Sequence, residues 1–279
     1  MTNYTVSYQT LTAFREALVQ EEKSPITIEK YLRDTRAFVE FAANRELNKE
    51  LTLSYKQQLQ QKNYALRSIN SMLAALNRLL DFLGRRDCRV RALRSQRQIY
   101  STEDKELTKA EYMRLLEASK GQKQLNLVIQ TICGTGIRVS ELQYFTVEEI
   151  QRGEVAVRCK NKTRTILLPG KLRKLLLDYA RQRQIRTGSV FVTRCGNPLD
   201  RSNIWAQMKR LCIDAGVSPG KVFPHNLRKL FARTFYGLDK DIAKLADILG
   251  HGSIETTRIY IMTSGSEHRR KIERLGLVV

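Results

Sequence analysis

The first ninety residues alternate apolar and polar positions at intervals of three and four, the spacing that lays apolar side chains along one face of an α-helix. Leu11, Phe14 and Leu18 predict a helix over 8–22. Ser24 and Pro25 supply an N-cap and a first helical position, and open a second helix. Its apolar face is Ile28, Tyr31, Leu32, Thr35, Phe38, Val39 and Ala42. After a turn at Thr52–Ser54 a shorter helix is expected over 54–62. A fourth, Ala65 to Leu83, carries the stripe Ile69, Met72, Leu73, Leu76, Leu79, Leu80 and Leu83, and Gly84 ends it. The pattern is that of a four-helix domain.

Residues 95–106 are polar and lose the apolar period, which places a domain boundary there: a domain over 1–95, a linker over 96–106 and a second domain over 107–279. Thr108 and Glu111 form a capping-box pair before a helix over 109–119. A helix over 122–133 is apolar on most sides and is expected to be buried; Gly134-Thr135-Gly136 breaks it, and a short helix restarts at Arg138. The period then changes to two. Val155, Val157 and Cys159 alternate with Ala156, Arg158 and Lys160, and Thr163–Leu168 returns, so a hairpin with Lys160-Asn161-Lys162 as its turn is expected. Helices are predicted over 171–183, 202–215, 225–236 and 240–249, with a short apolar segment at Val190–Val192 and a helical cap and turn at Ser253–Tyr260. The chain is therefore mainly α with a small β-sheet: an N-terminal four-helix domain followed by an α+β domain.

Charge changes the picture more than composition does. Lys and Arg total 49 against 28 Asp and Glu, a net charge of +21. The excess is concentrated: +8 over 51–100 and +9 over 151–200, separated by −2 over 101–150. Two basic regions on different domains point to a polyanion, and nucleic acid first. Lys30, Arg67 and Arg78 lie off the apolar stripes, and Arg85, Arg86, Arg89, Arg91, Arg94 and Arg97 follow them; as a set they suggest a surface that tracks a phosphate backbone. No apolar run is long enough to cross a bilayer, and no signal peptide is visible. The five cysteines are odd in number and widely spaced, with no metal-ligand spacing, so reduced thiols, a cytoplasmic location and no structural metal are expected.

Cutting DNA without a metal or an activated water needs a side-chain nucleophile, arginines to hold the charge of the transition state, and a proton for the leaving oxygen. The chain offers Tyr260 as nucleophile, Arg138 and Arg228 as clamps, and His225 on the helical face of Arg228. It adds His251 after a glycine helix stop, and Lys160 at a hairpin tip. Each alone has a plainer reading: a core tyrosine, an Arg138–Glu141 ion pair, a solvated lysine. Their order and local context carry the combination.

That combination resembles the tyrosine recombinase (phage integrase) family. Gly134–Leu142 (GTGIRVSEL) is similar to the family's first arginine box, and Arg158–Arg164 (RCKNKTR) to its hairpin-lysine motif, with Cys159 where a glycine is usual. Pro224–Arg233 (PHNLRKLFAR) resembles the H-x-x-R box, and Leu249–Tyr260 (LGHGSIETTRIY) the second-histidine and tyrosine box. The first four helices resemble the family's SAM-like core-binding domain, and the whole looks like the two-domain plan of Xer-type and simple integrase proteins. The resemblance implies a C-shaped clamp on duplex DNA carrying specific recombination sites, and attack by Tyr260 to leave a 3′-phosphotyrosine. It implies Arg138, Arg228, His225 and His251 on the phosphate, Lys160 (or else Lys162) as the acid, Glu141 in support, and Lys162 and Arg164 against DNA. Bond energy is conserved, so neither metal nor nucleotide cofactor is implied. A homotetramer would exchange strands through a Holliday junction, with the tail after Tyr260 packing on a neighbouring protomer or on its own domain. Integration and excision of a mobile element, with an excisionase or other accessory protein as a candidate partner, is the expected role. The alternatives are an Xer-type recombinase resolving chromosome dimers, a type IB-like topoisomerase, and a DNA-binding protein with an inactive site.

Overall fold

The computed structural model describes residues 5–94, 106–159, 162–262 and 265–276. The chain forms two compact units, Met1–Arg97 and Gln98–Val279. Among the described residues no helix is long and apolar enough to cross a membrane.

The first unit holds helices α1 (Tyr8–Gln20), α2 (Pro25–Ala42), α3 (Lys49–Gln61) and α4 (Leu66–Phe82). Ser24 accepts the Thr27 N–H at the start of α2, with Pro25 in the first turn, where a missing N–H costs nothing. Phe14, Leu18, Phe38, Leu47, Leu79 and Leu80 are fully buried between the helices. Helix α3 starts five residues before the expected position, and the expected Thr52–Ser54 turn lies inside it. Asn48 is the reason: its side chain accepts the Leu51 N–H at 2.8 Å and nucleates the helix early. Leu51, Tyr55 and Leu59 then repeat every four residues toward the core, and Thr52 buries its hydroxyl by donating to Cys88 O at 2.8 Å.

Two asparagines of α4 hold the segment that leaves this unit. Asn77 donates to Val90 O at 2.8 Å and accepts from Val90 N at 2.9 Å, and Asn70 does the same with Leu93 at 2.9 and 2.7 Å. Each amide thus pairs like a strand neighbour, and backbone that would otherwise be unsatisfied against α4 is paired. Residues 95–105, most of the expected linker, lie outside the described residues.

The second unit runs α5 (Lys109–Ala118), α6 (Lys123–Thr135), a 3₁₀ helix (Val139–Tyr144), α7 (Val147–Arg152), β1 (Glu154–Cys159), β2 (Lys162–Leu167), α8 (Gly170–Gln182), α9 (Arg201–Ala215), α10 (Pro224–Asp239), α11 (Ile242–Leu249), α12 (Ile254–Ile261) and α13 (Gly265–Glu273). Helix α6 is the central element, as its nearly continuous apolar sequence requires: Leu125, Leu127, Val128, Ile129 and Ile132 are all buried. The capping box of α5 forms, with Glu111 accepting from Thr108 N at 2.8 Å.

Four local expectations change. The segment restarting at Arg138 is a 3₁₀ helix, because Glu141 closes it tightly onto the Arg138 backbone. Helix α7, capped by Thr146, was not anticipated. Lys162 is the first residue of β2, paired with Cys159, so it belongs to the ladder and not to the turn. Helix α10 continues past Tyr236 to Asp239, and α11 begins only at Ile242. Lys240 there takes a left-handed φ of 57° that ends one helix, and Asp241 caps the next by accepting from Ala243 N and Lys244 N.

Candidate active site

The end of α6 sets the first wall. Gly136 caps the helix at φ +66°, and a β-carbon there would sit 2.4 Å from Cδ1 of Phe231 on α10. Only glycine accommodates both the left-handed backbone and the approach of that ring. Gly136→Ala is therefore expected to lower unfolding free energy by about 2–5 kcal/mol, the sum of backbone strain and overpacking. Urea melts check this, and a loss within about 0.5 kcal/mol, the range of ordinary surface substitutions, would contradict this packing.

Two residues on, Arg138 caps the 3₁₀ helix. Its backbone N–H donates to Glu141 Oε2 at 2.7 Å and its guanidinium to Oε1 at 2.9 Å. Arg164, reaching from β2, donates to the same carboxylate at 2.7 and 3.2 Å. Glu141 is only 2% exposed. A buried carboxylate is tolerable because two guanidiniums and a backbone N–H share its oxygens, and removing it would leave their charges facing each other. Arg138 Nη2 donates to Gly250 O at 3.2 Å, and about a third of the side chain (36%) stays exposed.

Arg228 on α10 is the largest fully buried side chain of the described residues. Its Nη1 donates to Gly136 O, and its Nη2 to Leu249 O at 2.6 Å. Gly136 caps α6 and Leu249 ends α11, so one guanidinium satisfies carbonyls at two helix C-termini, where partial negative charge collects. Burial, with Arg138 next in weight, lowers its pKa to about 10, which leaves it charged at neutral pH. Among the described residues Arg228 has no carboxylate partner, and its Nε is buried without a hydrogen bond. Three guanidiniums therefore meet around one carboxylate, an excess of positive charge that favours an anion.

His251 follows Gly250, which stops α11 at φ +63°. Its Nε2 lies 2.9 Å from Arg228 Nη2 and its Nδ1 2.8 Å from Thr257 Oγ1. Since the guanidinium can only donate, Nε2 accepts, and the proton belongs on Nδ1, donated to the Thr257 hydroxyl. Helix α12, capped by Ser253, then brings Tyr260 inward at 8% exposure. The Tyr260 ring sits between the two histidines, its centroid 5.0 Å from His225 and 4.8 Å from His251. The Tyr260 hydroxyl is 3.4 Å from His225 Nδ1, and Arg228 Cζ is 5.9 Å from the ring centroid.

Both imidazoles are pushed toward the neutral form. Burial is the first cause in each; the cations Lys229, Arg228, Arg138 and Arg201 add to it for His225, and Arg228, Arg138 and Arg164 for His251, whose pKa falls to about 4. An unfolded chain returns His251 to its ordinary value of 6.5, so between these values the unfolded state binds the extra proton. The stability from keeping His251 neutral is complete above pH 6.5 and is lost as pH falls toward 4. A His251→Asn variant is expected to show a flatter fall in Tm over that interval than the wild type. Parallel Tm–pH curves would remove His251 as the cause.

The structure brings Arg138, Glu141, His225, Arg228, His251 and Tyr260 together, though they are spread over more than a hundred residues of chain. Lys160 lies outside the described residues; the ladder does place its neighbours Cys159 and Lys162 opposite each other at the hairpin end. Arg164, expected on DNA, is instead turned onto Glu141 and 14% exposed. In the first unit Lys30 and Arg67 line one groove with Arg33 and Tyr64, but Lys30 also bonds Ser71 and pairs with Asp34 at 3.4 Å. Arg78 does not join them: it is engaged by Glu21.

Several residues at the site had no prior assignment. Thr257, fully buried and inside the tyrosine box, orients His251 six residues earlier. Arg201, Ser202, Trp205 and Phe223 line a cleft of about 790 Å³ with Arg138, His225 and Arg228, and no local pattern marks them.

Comparison with known proteins agrees with this geometry. The phage integrase family matches residues 105–266, and the phage integrase N-terminal SAM-like domain matches 11–87. The chain is 32% identical to tyrosine recombinase XerA of Pyrococcus furiosus, with 100% of this chain and 98% of that one covered. It is 27% identical to tyrosine recombinase XerD of Vibrio cholerae, over 84% of each. A crystal structure of lambda integrase residues 75–356, a dimer bound to a COC′ core site, has the same fold, with a TM-score of 0.76 at 16% identity over 94% of this chain and 97% of that one. With its catalytic-domain match spanning more than half its length, and a relative aligned end to end, the chain belongs to the phage integrase family and is a tyrosine recombinase.

Proposed function

We propose that this protein cuts and rejoins duplex DNA at specific sites, with Tyr260 as nucleophile, and does so as a homotetramer on two paired sites. One observation carries the reading: the Tyr260 hydroxyl lies beside His225, next to a buried Arg228 that has no carboxylate partner among the described residues. A phosphodiester is the anion that suits such a place. Arg228 and the open edge of Arg138 hold its non-bridging oxygens, and the charge developing there in the transition state strengthens both contacts. The Tyr260 oxygen bonds to phosphorus as its proton passes to His225 Nδ1. The bond from phosphorus to the 5′-oxygen breaks, and Lys160 protonates that oxygen. His251, fixed by Thr257, keeps Arg228 in place and shares the phosphate. Glu141 positions Arg138 and, through Arg164, ties the hairpin that carries Lys160 to the 3₁₀ helix. The 5′-hydroxyl of a partner duplex then attacks phosphorus and releases Tyr260. Each step replaces one phosphoester bond by another, so no outside energy source enters.

Lys30 and Arg67 on the first unit, with Lys162 on the hairpin, are proposed to contact the DNA backbone, and 1–95 and 107–279 to act as core-binding and catalytic domains joined by 96–106. The lambda integrase tetramer bound to a Holliday junction shares the fold, at a TM-score of 0.73 and 17% identity, and supports the four-protomer arrangement. Integration and excision of a mobile element, in the cytoplasm and with an excisionase or other accessory protein, remains the proposed role. The end-to-end match to XerA favours a second one, resolution of chromosome dimers. Mixing two labelled duplexes tests the activity: four-way junctions are expected. Relaxation of supercoiled plasmid without any junction would point to a topoisomerase instead.

A further inference from the structure

Trp205 is the single tryptophan of the chain and is 51% exposed, although large aromatic side chains gain most from burial. It projects from the second turn of α9 into the cleft that Arg138, His225 and Arg228 line. One turn further along α9, Lys209 holds its ammonium 5.2 Å from the indole centroid and 5.8 Å from that of Phe223. The same ammonium donates to Pro219 O, which pins it. Phe223 in turn lies parallel to His225 within 3°, at 6.5 Å. A continuous row, Trp205, Lys209, Phe223, His225, therefore connects an exposed indole to the imidazole beside Tyr260. The ammonium lies over the indole ring, and half of the Trp205 residue stays exposed.

An aromatic face held open beside a phosphate site suits a nucleobase. In an intact duplex both faces of a base are covered by its neighbours, so only an unpaired base offers a face to an indole. Strand exchange creates such bases, because the nucleotides next to the break must leave one partner before pairing with the other. Resting on the reading of this site as a DNA-cleaving centre, we propose that Trp205 stacks on the unpaired nucleobase adjacent to the phosphate attacked by Tyr260. Lys209 and Phe223 hold the indole in place. This makes Trp205 a substrate-binding residue for the exchange step, with little part in the attack of Tyr260 itself.

Because no other tryptophan is present, tryptophan emission, excited selectively over tyrosine, reports on this position alone. A Tyr260→Phe protein is titrated with two duplexes carrying its site, one fully paired and one with an unpaired base beside the scissile phosphate, while anisotropy of the labelled DNA records binding. The unpaired duplex is expected to quench Trp205 more strongly and to shield it from acrylamide. Equal responses to the two duplexes, or none while DNA is bound, overturn the proposal. In kinetics, Trp205→Ala is expected to slow strand exchange about 5- to 150-fold, the range of base–aromatic stacking losses, and to slow it more than it slows formation of the covalent adduct, with Trp205→Phe retaining most of the rate. Exchange at the wild-type rate in Trp205→Ala overturns it too. Should the alanine variant fold poorly in a thermal melt, Trp205→Leu serves in its place. Failure of the underlying reading shows separately, as a wild-type protein that forms no Tyr260-dependent adduct, and the proposal then falls with it.

Discussion

Tyr260→Phe is expected to abolish covalent attachment to DNA, a loss of at least about 10⁴-fold in single-turnover cleavage, since no other group takes over an absent nucleophile. The change removes one oxygen and keeps the ring. Because the hydroxyl's contact with His225 is long, at 3.4 Å, and the ring keeps its places 5.0 and 4.8 Å from the two histidines, stability is expected to shift by no more than about 1 kcal/mol. DNA affinity should stay near the wild-type value, because binding depends on the cations. Gel-shift and adduct assays on the same preparations separate the two properties. An adduct at wild-type yield from Tyr260→Phe would move the nucleophile elsewhere.

Arg228→Lys is the second large effect. The two residues share a charge, yet only the guanidinium reaches Gly136 O, Leu249 O and His251 from one planar fork. An ammonium satisfies fewer of these acceptors and leaves the phosphate with a misplaced point charge. Cleavage should fall about 10²–10³-fold, the usual loss on removing one transition-state donor, and stability by about 1–3 kcal/mol for the orphaned carbonyls. Single-turnover rates and urea melts check the two numbers independently. Cleavage within a few-fold of wild type would mean that Arg228 only braces two helix ends. Arg228→Ala extends the series: it adds a cavity and a third orphaned partner, so its stability loss should exceed that of the lysine variant.

Arg138, Glu141, His225, Arg228, His251 and Tyr260, which the structure brings together, were legible in the chain through their order and local context. Few side chains can attack a phosphodiester, and few can bind one bidentately, but each of these residues alone has a plainer reading. What stayed hidden were the partners set by distant contacts. Arg164 looked like one more basic residue of a hairpin, and nothing local shows that its guanidinium lands on Glu141, twenty-three positions earlier. Asn70 and Asn77 looked like polar positions on a helix, but each closes an amide pair with a segment that packs back onto α4. Trp205 carried no pattern at all, since an exposed and a buried tryptophan look alike in sequence. The helices were easier, because apolar spacing is a local property. Their errors fell where caps decide: Asn48 starts α3 early, and the left-handed Lys240 followed by Asp241 delays α11.

The bond between Tyr260 and DNA can be measured directly. Duplexes with a randomised core and a nick just past the cleavage position let the 5′-hydroxyl fragment escape, so any adduct formed is trapped. Denatured adducts are recovered, sequenced for the DNA site, and digested with trypsin. Cleavage after Arg258 and Arg269 isolates the peptide Ile259–Arg269, in which Tyr260 is the sole tyrosine. Mass spectrometry is expected to find the nucleotide on that peptide, at Tyr260, through a 3′-phosphate. A nucleotide on any other residue, or wild-type protein that yields no adduct across the whole pool, would contradict it.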